Sequence, residues 1–216
     1  DALTHRFCST ACYEPFAVMA AGGITDILVA NMIVGEPKVR RVAALCQSAD
    51  PIIACDHYAQ AEPLAVACRE AGVTCRVIIE VNVGLDRVGA LPGRDTRELA
   101  LALHELEGLE LVGIMGYEGH LLRVEDPEEK RQQIHASMDL LAGCRDVMIA
   151  DGLCCDIVSA GGTGSYQFTS DCPAVTELQA GGGIFADPVY QLQMGVELSL
   201  IHISEPTRPL YISYAV

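Results

Sequence analysis

Six short apolar runs, each followed by an amphipathic helical stretch, constrain this chain more than any other feature. Asp26-Ile-Leu-Val-Ala-Asn31 precedes a helical stretch from Pro37 to Gln47, and Pro51-Ile-Ile-Ala-Cys-Asp56 precedes one from Gln60 to Ala71. Cys75 to Val83 is followed by Arg94 to Leu106, and Leu109 to Tyr117 by Pro127 to Ala150, with Cys155 to Ser159 and Val175 to Gln179 completing the set. Continuous rather than alternating apolar runs indicate parallel strands covered on both faces. Repeated βα units with right-handed crossovers close into a barrel or open into a doubly wound sheet. Here polar and glycine residues stand at nearly every strand end: Asn31, Asp56, Asn82, Gly116 to Glu118, Ser159 to Gly162 and Gly181 to Gly183. An open sheet gathers such residues at one switch point, whereas a barrel spreads them around one rim. The expected fold is an α/β, TIM-type (β/α)8 barrel, incomplete because six strands are not eight.

Charge and cysteine usage narrow the function classes. Asp and Glu outnumber Lys and Arg 29 to 14, for a net charge of −15. That excludes non-specific binding to nucleic acid or an anionic membrane, which needs clustered cations. No apolar run reaches the roughly 18 residues of a spanning helix. The ten cysteines show no metal-type Cys-x-x-Cys spacing, and Cys46, Cys55, Cys68, Cys75, Cys144 and Cys154 sit in apolar or helical stretches. They are expected to be reduced, buried thiols in a cytoplasmic protein.

The strand ends carry the chemistry-bearing residues. Ser159-Ala-Gly-Gly-Thr-Gly-Ser165 and the Gly181-Gly-Gly183 cluster lie after successive strands, where barrels often bind phosphate through backbone N–H groups and hydroxyls. Arg87, between Gly84 and Gly89, is placed to aim a rigid donor fork at a ligand oxygen or ring nitrogen; the plainer reading is a surface pair with Asp86. Tyr117 and His120 bring an aromatic face and a titratable imidazole to the same rim. His57 is weaker, His104 and His135 are expected to face solvent, and Pro127 to Arg131 reads as a solvated helix start capped by Asp126.

Several of these stretches together resemble one family. Gly23 to Asn31, Glu80-Val-Asn-Val-Gly-Leu-Asp-Arg-Val-Gly89, Gly113-Ile-Met-Gly-Tyr-Glu-Gly-His120, Ser159 to Gly164 and Glu177 to Gly181 are similar, in order, to the D-threonine aldolase and D-serine dehydratase-like family, with its alanine-racemase-type N-terminal barrel. The resemblance runs from Tyr13 to Glu197, about strands 3–8 of the barrel. It implies a parent lyase that uses pyridoxal 5'-phosphate to cleave or dehydrate β-hydroxy-D-amino acids, acting as a homodimer. It also implies that Gly161, Gly162 and Thr163 bind the phosphate together with Gly181 and Gly182, that Arg87 contacts the pyridoxal ring system, and that Tyr117 lines the pocket; beside it, the residue pattern adds Ser159 to the phosphate loop and makes Tyr117 and His120 the catalytic candidates.

The departures are equally specific. The family's Schiff-base lysine lies in a His-x-Lys-Thr-His-Lys-like motif on the first strand. Leu3-Thr-His-Arg6 resembles only its tail, and the chain's two lysines, Lys38 and Lys130, fall in helices. The family's C-terminal β-domain, with its divalent metal (zinc or manganese), is missing as well. The aldolase branch is expected to carry a histidine six positions after the tyrosine, where Arg123 stands. Residues 1–12 match poorly, as though the frame began inside a gene or after a frameshift. Residues 198–216 resemble a translated sequencing adapter: a transposase adapter over Leu198 to Arg208, a barcode, and a flow-cell primer over Ile212 to Val216. The expectation is therefore a partial barrel over 13–197, inactive by itself. The alternatives are a non-catalytic pyridoxal-phosphate carrier on the same barrel or, less well matched, a flavin or sugar-phosphate barrel enzyme.

Overall fold

The computed structural model describes residues 7–9, 13–182 and 188–196. Seven parallel strands form one curled sheet in chain order: β1 (Phe7–Ser9), β2 (Asp26–Met32), β3 (Asp50–Cys55), β4 (Cys75–Glu80), β5 (Leu109–Gly116), β6 (Ile157–Ala160) and β7 (Glu177–Leu178). The helices α1 (Tyr13–Ala21), α2 (Glu36–Leu45), α3 (Tyr58–Ala71), α4 (Arg94–His104), α5 (Pro127–Ala150), α6 (Tyr166–Thr169) and α7 (Pro188–Leu192) follow the strands one by one. This is the incomplete α/β barrel that the alternating pattern predicts. It has one strand more than the pattern shows. β1 pairs Phe7 with Ile27 and Ser9 with Val29, and three residues are too few to display a period of two. The adapter-like stretch lies outside the described residues.

The two-faced burial that the apolar runs imply is visible residue by residue. Ile27, Val29, Ile53, Cys55, Val77, Ile79, Ile114 and Val158 face the helices in one core. Their alternates Leu28, Ile52, Ala54, Ile78, Met115 and Ile157 form a second core on the concave side. Each such aliphatic side chain contributes roughly 1.5–3 kcal/mol by leaving water. The helices match their strands through the expected spacing. On α4, Thr96, Leu99, Ala100 and Leu103 are buried, and on α5 so are Ile134, Met138, Leu141, Cys144 and Met148. Asp126 caps α5 as the sequence suggests, accepting the Glu129 N–H at 2.8 Å. No helix among the described residues is long and apolar enough to cross a membrane.

The N-terminal strand ends are tied by one cation. Arg76 donates to Asp26 at 2.6 Å and to Asp50 at 2.8 Å, joining β2, β3 and β4 below the sheet. Three expectations about side chains need correction. Lys130 is buried rather than part of a solvated face, because its Nζ donates to the carbonyls of Leu122 and Met194 at 2.9 and 2.8 Å. His135 is only partly exposed, and its Nε2 is buried. Cys154 is exposed, in the turn that leads into β6, while its neighbour Cys155 is buried.

Close strand contact sets one testable constraint. A Cβ at Gly113 on β5 would collide with the Ile157 carbonyl of β6, whereas one at Gly143 on α5 would meet nothing. Gly113→Ala is expected to lose about 1–3 kcal/mol through overpacking. Gly143→Ala is expected to gain roughly 0.5–1 kcal/mol by restricting the unfolded chain in a helix. Urea unfolding of the two variants beside the parent chain checks both signs.

Candidate functional site

The candidate site is built at the C-terminal ends of β4, β5 and β6. After β4 the chain turns back on itself, and Asn82 holds the turn. Its Oδ1 accepts the N–H groups of Gly84 and Asp86 at 3.0 and 3.1 Å, and its Nδ2 donates to Asp86 Oδ1 at 2.8 Å. These bonds offset the left-handed backbone of Asp86 (φ 54°), which non-glycine residues rarely adopt. The loop then closes: the Gly89 N–H donates to Asp56 at the end of β3, at 3.1 Å. A side chain at Gly89 would strike the Asn82 backbone.

Arg87 leaves this loop toward the sheet. With Asp86 engaged by Asn82, its partner is Glu80, the last residue of β4, at 3.4 Å. The guanidinium also lies 5.5 Å from the centre of the Tyr117 ring, within the range of a cation–π contact. Glu80 is 3% exposed. Burial pushes its carboxyl pKa up, and the Arg87 charge and hydrogen bond pull it partly back.

Tyr117 follows β5 and stands in a slot made by two glycines. A Cβ at Gly162 would lie 3.1 Å from the ring, and one at Gly119 would lie 2.5 Å from it. Burial raises the Tyr117 hydroxyl pKa, the charges of Glu118 and Tyr190 add to the rise, and Arg87 opposes it. His120 packs over the β4 loop, its Nε2 2.8 Å from where a Gly84 Cβ would sit. Between them Glu118 is wholly buried. Its Oε1 accepts the Thr169 hydroxyl at 2.7 Å, and its Oε2 has no partner among the described residues.

The two glycine loops meet through a hydroxyl. Thr163 Oγ1 accepts the Gly182 N–H at 2.7 Å. Gly161 adopts φ 73°, and the Gly162 N–H donates to Ser165 Oγ at 3.0 Å. The N–H groups of Thr163 and Gly164 meet no acceptor among the described residues, although buried N–H groups are normally paired. Unpaired N–H groups beside a hydroxyl are the kind of donor set with which backbone loops hold anions.

The structure thus brings Arg87, Tyr117, Gly162, Thr163 and Gly182 to one rim, with His120 beside them. Ser159 is placed differently. Its hydroxyl donates to Glu177 at 2.7 Å and accepts from Gln179 at 3.0 Å, tying β6 to β7. His57 caps α3, its Nδ1 accepting the Ala59 N–H at 3.1 Å. Lys38 is exposed on α2 and Lys130 is enclosed by carbonyls, so no described lysine stands at a strand end. Sequence reasoning missed Glu80 and Glu118. A carboxylate inside or directly after an apolar run was the available signal, since buried acids are rare without a partner. Among the described residues no group of three or more His, Cys, Asp or Glu could hold a metal ion.

Comparison with known proteins adds lineage to this geometry. The family model for the alanine racemase N-terminal domain matches residues 2–188. A 3-hydroxy-D-aspartate aldolase of Paracoccus denitrificans is 30% identical over 79% of this chain and 44% of its own length. A D-threonine aldolase of an Arthrobacter species is 29% identical over 79% and 45%. Among solved structures, a D-threonine aldolase from Filomicrobium marinum superposes with a TM-score of 0.82 at 32% identity, covering 85% of this chain and 50% of that one. The chain spans about half the length of the curated relatives it matches.

The buried carboxyl makes the site pH-sensitive in a definite direction. Because Glu80 has a raised pKa in the fold, its contribution to stability is fully present below its unfolded value and is lost as pH rises through the folded one. Glu80→Gln keeps the shape without the titration. The variant is expected to gain stability relative to the parent chain as pH rises through and above the carboxylate range. Urea unfolding at a series of pH values tests this, and a parent chain that gains on the variant would contradict it.

Proposed function

Since this chain belongs to the alanine racemase N-terminal domain family, we propose that it is the barrel portion of a pyridoxal 5'-phosphate-dependent lyase acting on β-hydroxy-D-amino acids. The observation that carries the reading is that two joined glycine loops, an aromatic ring and a cation share one rim. The residues present fit the phosphate and the ring of the cofactor. Thr163 and Gly164 would hold the phosphate through N–H groups that otherwise lack acceptors, with Gly161 and Gly162 allowing close approach and Gly181 and Gly182 closing the second side. Arg87, steadied by Glu80, would direct its donors at the ring substituents, and Tyr117 would supply the adjoining wall. When bound, the cofactor supplies an electron sink for the pair left on Cα when one of its bonds breaks.

The chain's own residues would orient that chemistry. The Tyr117 ring is held rigidly between Gly119 and Gly162, so it fixes which substrate face meets the cofactor. His120, anchored over Gly84, offers an imidazole to carry the β-hydroxyl proton. Aldol cleavage breaks Cα–Cβ as that proton leaves, whereas dehydration breaks the Cα–H and Cβ–O bonds and releases water. The relatives divide between these outcomes: three are named as aldolases, and one from Delftia as a D-threo-3-hydroxyaspartate dehydratase. A covalent lysine and a divalent metal, zinc or manganese, belong on this reading to parts of the parent outside the described residues. The parent would be a cytoplasmic homodimer acting on small D-amino acids, with no nucleic-acid or membrane partner. The eight free cysteines among the described residues are compatible with a reducing compartment.

Two measurements test the proposal. Equilibrium dialysis of the chain with pyridoxal 5'-phosphate is expected to show saturable binding that Arg87→Ala weakens about tenfold, or roughly 1.4 kcal/mol. The same chain is expected to show no turnover of D-threonine or 3-hydroxy-D-aspartate, because nucleophilic catalysis lacks its amine. Binding indifferent to Arg87, or measurable turnover, would contradict the reading.

A further inference from the structure

A single buried lysine stands behind the glycine loop that leads out of β6. Lys130, near the start of α5, is 3% exposed. Its Nζ donates to the Leu122 carbonyl at 2.9 Å and to the Met194 carbonyl at 2.8 Å. The same nitrogen lies 5.9 Å from the centre of the Phe168 ring on α6, within cation–π range. One side chain thereby reaches three segments: the turn after β5, the helix that follows the glycine loop, and the chain after α7.

Two of those segments close on Gly164. A Cβ there would lie 2.7 Å from Met194 Sδ and 3.0 Å from Leu122 Cδ2, so these two side chains occupy the space that a side chain at 164 would need. The lysine therefore holds, by their carbonyls, both residues whose side chains wall Gly164. The packing around this clasp is open: a cavity of about 500 Å³ is lined by Arg123, Lys130, Phe168, Leu192 and Met194, among others. A buried cation is costly unless its hydrogen bonds are made, and no carboxylate pairs with Lys130 among the described residues. Its partners are main-chain carbonyls, so its charge is spent on placing backbone.

Resting on the reading that this loop binds the cofactor's phosphate, we propose that Lys130 is a positioning residue for that phosphate. It clasps Leu122 to Met194 behind Gly164 and so sets the place of the Thr163 and Gly164 N–H groups. Backbone donors hold an anion only where their N–H groups converge, and a site whose supporting shell is loose by about 1 Å fails to bind well. A methionine at 130 keeps an unbranched apolar stem and loses every donor, while water in the cavity can satisfy the freed carbonyls. Leu122 and Met194 would then part, and Gly164 would lose the walls that fix it. Arg87 and Tyr117 belong to the loops after β4 and β5 and face each other directly, so the contacts to the cofactor ring would stay. The loss falls on the phosphate.

Equilibrium dialysis of the full chain with pyridoxal 5'-phosphate and with pyridoxal tests this. Lys130→Met is expected to weaken pyridoxal 5'-phosphate about tenfold, the scale of one charged hydrogen bond, and to leave pyridoxal unchanged. Lys130→Arg, whose longer side chain has room in the cavity, is expected to restore most of the loss. An equal loss for both ligands would mark a role in folding alone and overturn the proposal, as would an unchanged preference for the phosphorylated form. A parent chain without that preference would overturn the proposed function, and this inference with it. A second measurement needs no variant: acetic anhydride labelling, mapped by peptide mass, compares Lys130 with the exposed Lys38. Inorganic phosphate, at a concentration that displaces pyridoxal 5'-phosphate, is expected to slow acetylation of Lys130 several-fold and leave Lys38 unaffected, because binding and the clasp strengthen each other reciprocally. Labelling of Lys130 indifferent to phosphate would overturn the proposal even where Lys130→Met fails to fold.

Discussion

A parallel sheet buried on both faces leaves only its two ends for polar chemistry, and the rest of this molecule follows from that restriction. Between Ile27 and Val158 nearly every strand residue meets either the helices or the concave core. Charged side chains survive where strands begin or finish. At the beginning, Arg76 spans Asp26 and Asp50 and ties three strands together. At the finish, Glu80, Arg87, Tyr117 and the glycine loops gather. A barrel that keeps its binding at the C-terminal rim and its stabilising contacts at the opposite end is the general outcome of this division.

The rim is held together by few interactions, and they run across elements. Glu80 on β4 takes Arg87, Arg87 faces Tyr117 after β5, Tyr117 fills the space at Gly162 after β6, and Thr163 receives the Gly182 N–H after β7. Each link depends on the preceding strand being in register. Glycine at 119 and 162 is therefore a packing requirement: the ring occupies the volume that side chains there would need. Glu118 and Thr169 perform the same service underneath, fastening α6 to the end of β5.

Much of this architecture is legible in the order of the amino acids. Continuous apolar runs announce buried parallel strands, and the strand-end residues Arg87, Tyr117, Gly162 and Thr163 stand out because polar and glycine residues interrupt those runs. What escapes such a reading does so for physical reasons. Phe7 to Ser9 is too short to show periodicity. Glu80 ends a strand that reads as core, and its pairing with Arg87 instead of Asp86 depends on Asn82 capturing Asp86 first. Lys130 looks solvated in a charge run, yet two carbonyls that lie 8 and 64 residues away enclose it. Ser159 belongs to a phosphate-loop pattern, but the adjacent strand claims its hydroxyl.

The proposed function requires the rim to recognise a phosphate beside an aromatic ring, and the most direct test compares pyridoxal 5'-phosphate with pyridoxal as ligands of this chain. If Thr163, Gly164 and the neighbouring glycine loop form the anion cradle, removing the phosphate should cost most of the binding, and inorganic phosphate should compete with the phosphorylated ligand. Equal affinity for the two forms, unaffected by inorganic phosphate, would contradict the proposed function.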